Sequence, residues 1–154
     1  VGAHGATPVE PLLRLGGGGE PPLLVARRSL DDADFPQSVL LASDGSPGSW
    51  QAARLALELA REKGAELRVA YVPDERPEGR PAPRAAMRDQ LTMIAAARGA
   101  RPPLHDRPGP VAERICNAAQ GYQSSVIVIG RARSGGVSAR VARRAGCSVL
   151  LVPG

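Results

Sequence analysis

Two apolar runs near the end of the chain, Ser125-Val-Ile-Val-Ile129 and Ser148-Val-Leu-Leu-Val152, constrain the fold more than any other feature. Each has the length of a strand, is rich in branched aliphatic residues and shows no polar alternation. That pattern suits strands buried on both faces of a sheet. Between them lie Gly130-Arg-Ala-Arg-Ser-Gly-Gly136 and then Val137, Val141 and Ala145 at helical spacing. A glycine-bearing turn opening a helix aims backbone N–H groups and the positive helix end at one point, which suits a phosphate.

The alternation of strand and helix begins at Ser38, and it argues for a parallel sheet covered by helices. Ser38-Val-Leu-Leu-Ala-Ser43 is a first, central strand. Asp44-Gly-Ser46 turns the chain, with Ser46 expected as the cap and Pro47 as the first helical residue. Trp50, Ala53, Leu57 and Ala60 keep helical spacing up to Lys63-Gly64, and Glu66 to Val72 is the second strand. A proline-rich loop spans 73–83, and Met87, Leu91 and Ile94 mark a second helix ending near Gly99. Leu104-His-Asp106 is flanked by prolines, so it is expected at an edge with His105 exposed. Val111, Ile115 and Ala119 define the third helix.

With 154 residues the chain is long enough for one domain with a real core, and at 43% hydrophobic and 23% charged it is an ordinary globular protein. Aromatics are only 3%, which removes the stacking platforms that single-stranded nucleic acid needs. The net charge of +5 comes from arginines scattered along the chain, with Lys63 the one lysine. Scattered charge of this kind is read as a solvated surface, and no nucleic-acid partner is expected. No run approaches the length of a membrane span and no leader is visible, so a cytoplasmic protein without a membrane partner is expected. Cys116 and Cys147 are read as buried, reduced thiols.

If the sheet reverses its strand order between the first and fourth strands, their carboxyl ends face each other across a crevice that takes a ligand. Asp44 then accepts from a ribose hydroxyl or an adenine amine while the 130–136 turn faces phosphate. The competing reading has the Asp44 carboxylate satisfying N–H groups of its own turn. His4 and His105 have no serine or cysteine partner at an interpretable spacing, so no nucleophile–base set is seen. Ser134-Gly-Gly136 follows the fourth strand, which argues against the pyrophosphatase loop of amide-forming enzymes. Asp44 likewise lacks the neighbours of a phosphoacceptor.

Ser38-Val-Leu-Leu-Ala-Ser-Asp-Gly-Ser46, Gly109-Pro-Val-Ala-Glu-Arg-Ile115, Val126-Ile-Val-Ile-Gly130 and the run from Val137 to Val152 resemble the universal stress protein family. The resemblance covers Ser38 to Val152. It implies an α/β fold: an open five-stranded parallel sheet of order 3-2-1-4-5 with helices on both faces. It also implies a non-catalytic, cytoplasmic stress-response module that binds ATP or another adenine nucleotide, the alternative being an ATP-binding protein with weak hydrolysis. The candidate site residues are Asp44, Ser46, Gly130, Gly135 and Gly136 at positions that align with the family's site, with Arg131 and Arg133 expected to add charge where the loop departs from it. The family spaces its first and third phosphate-loop glycines 13 positions apart, whereas Gly130 and Gly135 are five apart, with Arg133 at the second glycine and Gly136 at the Ser/Thr position. A loop that short does not wrap a triphosphate in the family's manner.

Residues 1–37 fall outside the alternating scheme. Gly19-Glu-Pro-Pro-Leu-Leu-Val25 matches Gly146-Cys-Ser-Val-Leu-Leu-Val152 at its glycine and final Leu-Leu-Val, and Gly2-Ala-His-Gly5 fits the opening of the family's glycine pattern. The division expected is therefore 1–29 as the loop and last strand of a preceding repeat, 30–37 as linker, and 38–154 as the domain. Family members commonly dimerise through the last strand. The resemblance therefore implies self-association, or a pseudo-dimer, through Val149 to Val152 with Leu23 to Ala26 as the partner strand.

Overall fold

The computed structural model describes residues 6–8, 20–27, 35–72, 82–105, 108–131 and 136–154. In chain order these form β1 (Ala6–Pro8), β2 (Leu23–Val25), β3 (Ser38–Ala42), α1 (Ser49–Lys63), β4 (Glu66–Ala70) and α2 (Ala82–Arg98). They continue with β5 (Leu104–His105), α3 (Val111–Gly121), β6 (Val126–Gly130), α4 (Val137–Arg144) and β7 (Ser148–Val152). The sheet has seven strands in the order β1-β2-β7-β6-β3-β4-β5. Its β5-β4-β3-β6-β7 part is parallel throughout and has the expected 3-2-1-4-5 order. The five-strand expectation omits the far edge: β2 joins β7 antiparallel, with Leu23 opposite Leu151 and Val25 opposite Val149, and β1 joins β2 antiparallel. A β-ladder across β7 leaves no open edge there, which a lone last strand would have.

The alternation of side chains along each strand sorts the core into two layers. Val39, Leu41, Leu67, Val69, Val126, Val128, Leu150 and Val152 face α1 and α2. Leu40, Ala42, Ala70, Ile127, Ile129 and Val149 face α3 and α4. Leu40, Leu41, Ile127 and Val128 are wholly excluded from solvent, which explains their lack of any polar partner in sequence. On α1 the buried side is Ala52, Ala53, Leu55, Ala56, Leu59 and Ala60, so small residues let the helix lie close on the sheet. Trp50 and Leu57, expected in the stripe, sit half-buried at its margins. The helix ends as expected at Gly64, whose left-handed φ of 62° lets its N–H and that of Ala65 close on Ala60 and Arg61 carbonyls.

Several boundaries differ from the sequence reading. The first helix starts at Ser49 and not at Pro47, because Ser49 and Trp50 N–H groups close on the Ser46 and Pro47 carbonyls at 3.0 and 3.3 Å in a tight preceding turn. Ser46 thus acts through its carbonyl and makes no side-chain cap. His105 is half-buried, edge-on to Tyr122 with ring centroids 6.1 Å apart. Cys116 and Cys147 form no disulfide and are half-buried, not buried as expected. Among the described residues no helix is long and apolar enough to cross a membrane.

Candidate functional site at the carboxyl ends of β3 and β6

The chain leaves β3 toward one side of the sheet and β6 toward the other, so the ends of these adjacent strands splay apart. A cavity of about 310 Å³ lies there, within the size range of small-molecule sites. Ala42, Ser43 and Asp44 line it from the end of β3, Gly48 and Ser49 from the start of α1, and Ile129, Gly130 and Arg131 from the end of β6. Val72, Val111, Ile115 and Val137 supply apolar walls. A larger cavity of about 770 Å³ opens at the opposite end of the sheet, among Phe35, Gln37, Cys116, Asn117, Arg144 and Cys147. It lies at the amino ends of the strands, away from the crossover geometry that makes ligand sites in open parallel sheets.

The turn after β3 is held from inside. Ser43 Oγ donates to Gln90 Oε1 and accepts from the Gly45 N–H at 3.1 Å. Gln90 Nε2 donates to Ser49 Oγ at 3.2 Å, and Ser49 Oγ donates to the Ser46 carbonyl at 2.8 Å. Gln90 is wholly buried, and each of these polar atoms finds its partner within the group, which removes the cost of burying them. Gly45 adopts a φ of +76°, and a Cβ there would lie 2.6 Å from the Met87 backbone nitrogen. Only glycine lets this turn press against α2. Asp44 is exposed, and its Oδ1 accepts from the Ser46 N–H at 2.9 Å. The carboxylate therefore serves its own turn while also bordering the cavity.

The turn after β6 is placed by backbone. Arg131 N–H donates to the Val152 carbonyl at 2.7 Å, and a Cβ on Gly130 would meet the Gly48 carbonyl oxygen at 3.2 Å. The Arg131 guanidinium is half-buried and ion-paired with Glu20, three residues before β2. The pair holds the Glu20 carboxyl below the usual glutamate range and raises Arg131 further, chiefly through their hydrogen bond. α4 begins after Gly136 with no side-chain cap and no acidic residue in its first turn, so its positive end points at the cavity side from which Val137 and Ser138 line it.

Of the expected site residues, Asp44, Ser46, Gly130 and Arg131 meet around this cavity, and Gly136 lies at the start of α4 beside it. Arg133 and Gly135 lie outside the described residues, as do His4 and the 16–19 glycine run. Ser43, Ser49, Gln90 and Glu20 were not singled out from sequence. A signal for Gln90 exists: it stands one residue before Leu91 and three after Met87, on the face that buries Met87, Leu91 and Ile94. Among the described residues no group of three or more His, Cys, Asp or Glu side chains could hold a metal.

Arranged this way, the cavity offers apolar walls, a carboxylate for hydroxyl or amine donors, and a helix end with one guanidinium for an anion. The chain matches the universal stress protein family over residues 36–153. Among solved structures it is similar to a member of that family from Burkholderia pseudomallei at 32% identity, covering 77% of this chain and 97% of that one with a TM-score of 0.56. A universal stress protein in complex with cAMP is 28% identical, with 76% and 96% of the two chains covered and a TM-score of 0.61. A longer Pseudomonas aeruginosa UCBPP-PA14 chain, at 21% identity and TM-score 0.63, shares the fold over 86% of this chain and 52% of its own length. No curated protein matches. With more than half of its length under the family's model, this chain belongs to the universal stress protein family.

Proposed function

We propose that this protein is a non-catalytic stress-response module that holds an adenine nucleotide at the crevice between β3 and β6. One observation carries the reading. The cavity of about 310 Å³ at that crevice combines apolar walls with Asp44 and Arg131 on its rim. The adenine ring lies between Val72, Ile115 and Val137, Asp44 accepts from a ribose hydroxyl or the ring amine, and phosphate faces Arg131 and the start of α4. The cAMP complex of a relative at 28% identity supports a ligand of this class. The turn from Gly130 to Gly136 is too short to wrap a triphosphate by backbone alone, so ATP is held less fully than a nucleotide with fewer phosphates.

The same reading covers the N-terminal segment. Residues 1–29 are the tail of a preceding repeat, and β2 takes the place on β7 that the last strand of a second copy would take. The antiparallel ladder of Leu23–Val25 on β7 supports this, as does a shared fold that reaches 86% of this chain in a relative of about twice the matched length. Self-association through Val149 to Val152 is then replaced by pairing within the chain, and the protein works in the cytoplasm without membrane or nucleic acid.

Calorimetric titration with AMP, cAMP and ATP tests the site. Binding should weaken at least about tenfold, or roughly 1.4 kcal/mol, in Asp44→Ala. Asp44→Asn, which keeps an acceptor for the Ser46 N–H, separates ligand contact from turn support. Absence of heat with every adenine nucleotide contradicts the proposal, and ATP turnover lost in Asp44→Ala contradicts its non-catalytic part.

A further inference from the structure

We infer that Glu20 sets the charge of the ligand this site accepts, favouring adenosine or a singly charged cyclic monophosphate over a triphosphate; the inference rests on the adenine reading above. Asp44 and Arg131 are the charged residues among the described lining of the cavity. Glu20 Oε2 lies against Arg131 Nη2, so the cation that would meet a phosphate already has an anion on it. Asp44 lines the same cavity as Arg131, and Glu20 adds a second carboxylate through its pair with Arg131.

The position of Glu20 does not depend on a ligand. The β2–β7 ladder runs antiparallel from Leu23 opposite Leu151 to Val25 opposite Val149, which brings the chain before Leu23 to the carboxyl end of β7. Arg131 is tied to that same end by its N–H to Val152. At the other end Arg27 donates from Nη2 to the carbonyls of Ala142 and Arg143, and from its N–H to Ser148 Oγ at 3.2 Å. Leu24 is buried in the core between the two anchors. Residues 20–27 thus form a strap between β1 and β7, fixed by core and backbone, whose first residue pairs with Arg131 at the site.

The consequence grows with ligand charge. Two unit charges 4 Å apart in water interact by an amount equal to about a fivefold change in affinity, so a carboxylate beside the phosphate position penalises ATP far more than cAMP and leaves uncharged adenosine as reference. An ordinary site for a triphosphate would leave its arginine open.

The test is calorimetry with adenosine, cAMP and ATP on the full chain and on Glu20→Gln, which keeps size and removes charge. The readout is the ratio of ATP affinity to adenosine affinity. Wild type should prefer adenosine or cAMP to ATP, and Glu20→Gln should raise the ratio by about tenfold or more at low salt, the gain shrinking as salt screens it. Adenosine binding with the same ratio in wild type and Glu20→Gln overturns the role of Glu20 while leaving the adenine site in place. Failure of all three ligands to bind either protein overturns both.

Discussion

The two turns that frame the crevice are built in opposite ways. The turn after β3 is locked from beneath: Gly45 presses on the backbone of α2, and Ser43, Ser49 and Gln90 close a buried polar group under it. The described start of the turn after β6 is held by one backbone hydrogen bond to β7 and by a guanidinium paired with a residue from another part of the chain. On the proposed reading, the first turn meets the ring and sugar and the described start of the second meets the phosphate.

Breaking the first turn should be the costlier experiment. Gly45→Ala puts a Cβ 2.6 Å from the Met87 nitrogen and forces alanine into a left-handed backbone, so about 3 kcal/mol or more of stability should go, read as a shifted denaturant midpoint. Leu24→Ala loosens the strap that carries Glu20, and emptying this buried leucine position should cost about 2–4 kcal/mol in the same assay. If Leu24→Ala costs nothing, the strap is not part of the folded core. Gln90→Leu removes one hydrogen-bond partner from each of the Ser43 and Ser49 hydroxyls, which keep each other, the Gly45 N–H and the Ser46 carbonyl, and should cost about 1–3 kcal/mol, with a further loss of ligand affinity as the turn relaxes.

The smallest effect concerns the second turn. The Glu20 carboxyl titrates below the usual glutamate range because Arg131 favours its charged form. A lowered folded-state pKa means that the contribution of the pair is present above the ordinary range and lost as pH falls through the folded value. Carbon-detected NMR titration should show that low midpoint in wild type and a normal one in Arg131→Ala. A normal midpoint in wild type would mean that the pair does not persist in solution.

Much of this was legible in the residues. The runs 38–42, 126–130 and 148–152 are apolar stretches because the strands they form are covered on both faces, and together with the alternation of strand and helix they point to a buried parallel sheet. Asp44, Gly130 and Arg131 were candidates because they follow the carboxyl ends of the first and fourth strands at the expected switch point and because of the family resemblance, and all three line one crevice. Gln90 was not, since a polar residue in an amphipathic helix is ordinarily assigned to the solvent side, and only the tertiary approach of Ser43 and Ser49 gives it a reason to be inside. Glu20 was illegible for a different cause. Its partner lies more than 100 positions away, and the pairing depends on an antiparallel strand added to a parallel sheet, which no local periodicity encodes. The start of the first helix moved from Pro47 to Ser49 because a serine before proline is a good cap by rule, while the i-to-i+3 bonds of this turn left it no helical N–H to cap.

On the proposed function the crevice between β3 and β6 takes the ligand, and the larger cavity at the other end of the sheet does not. Backbone NMR shift mapping with cAMP decides it. The account predicts saturable shifts centred on Ser43, Gly48, Gly130, Arg131 and Val137. Shifts centred instead on Phe35, Cys116, Asn117 and Arg144, or none at millimolar ligand, would contradict it.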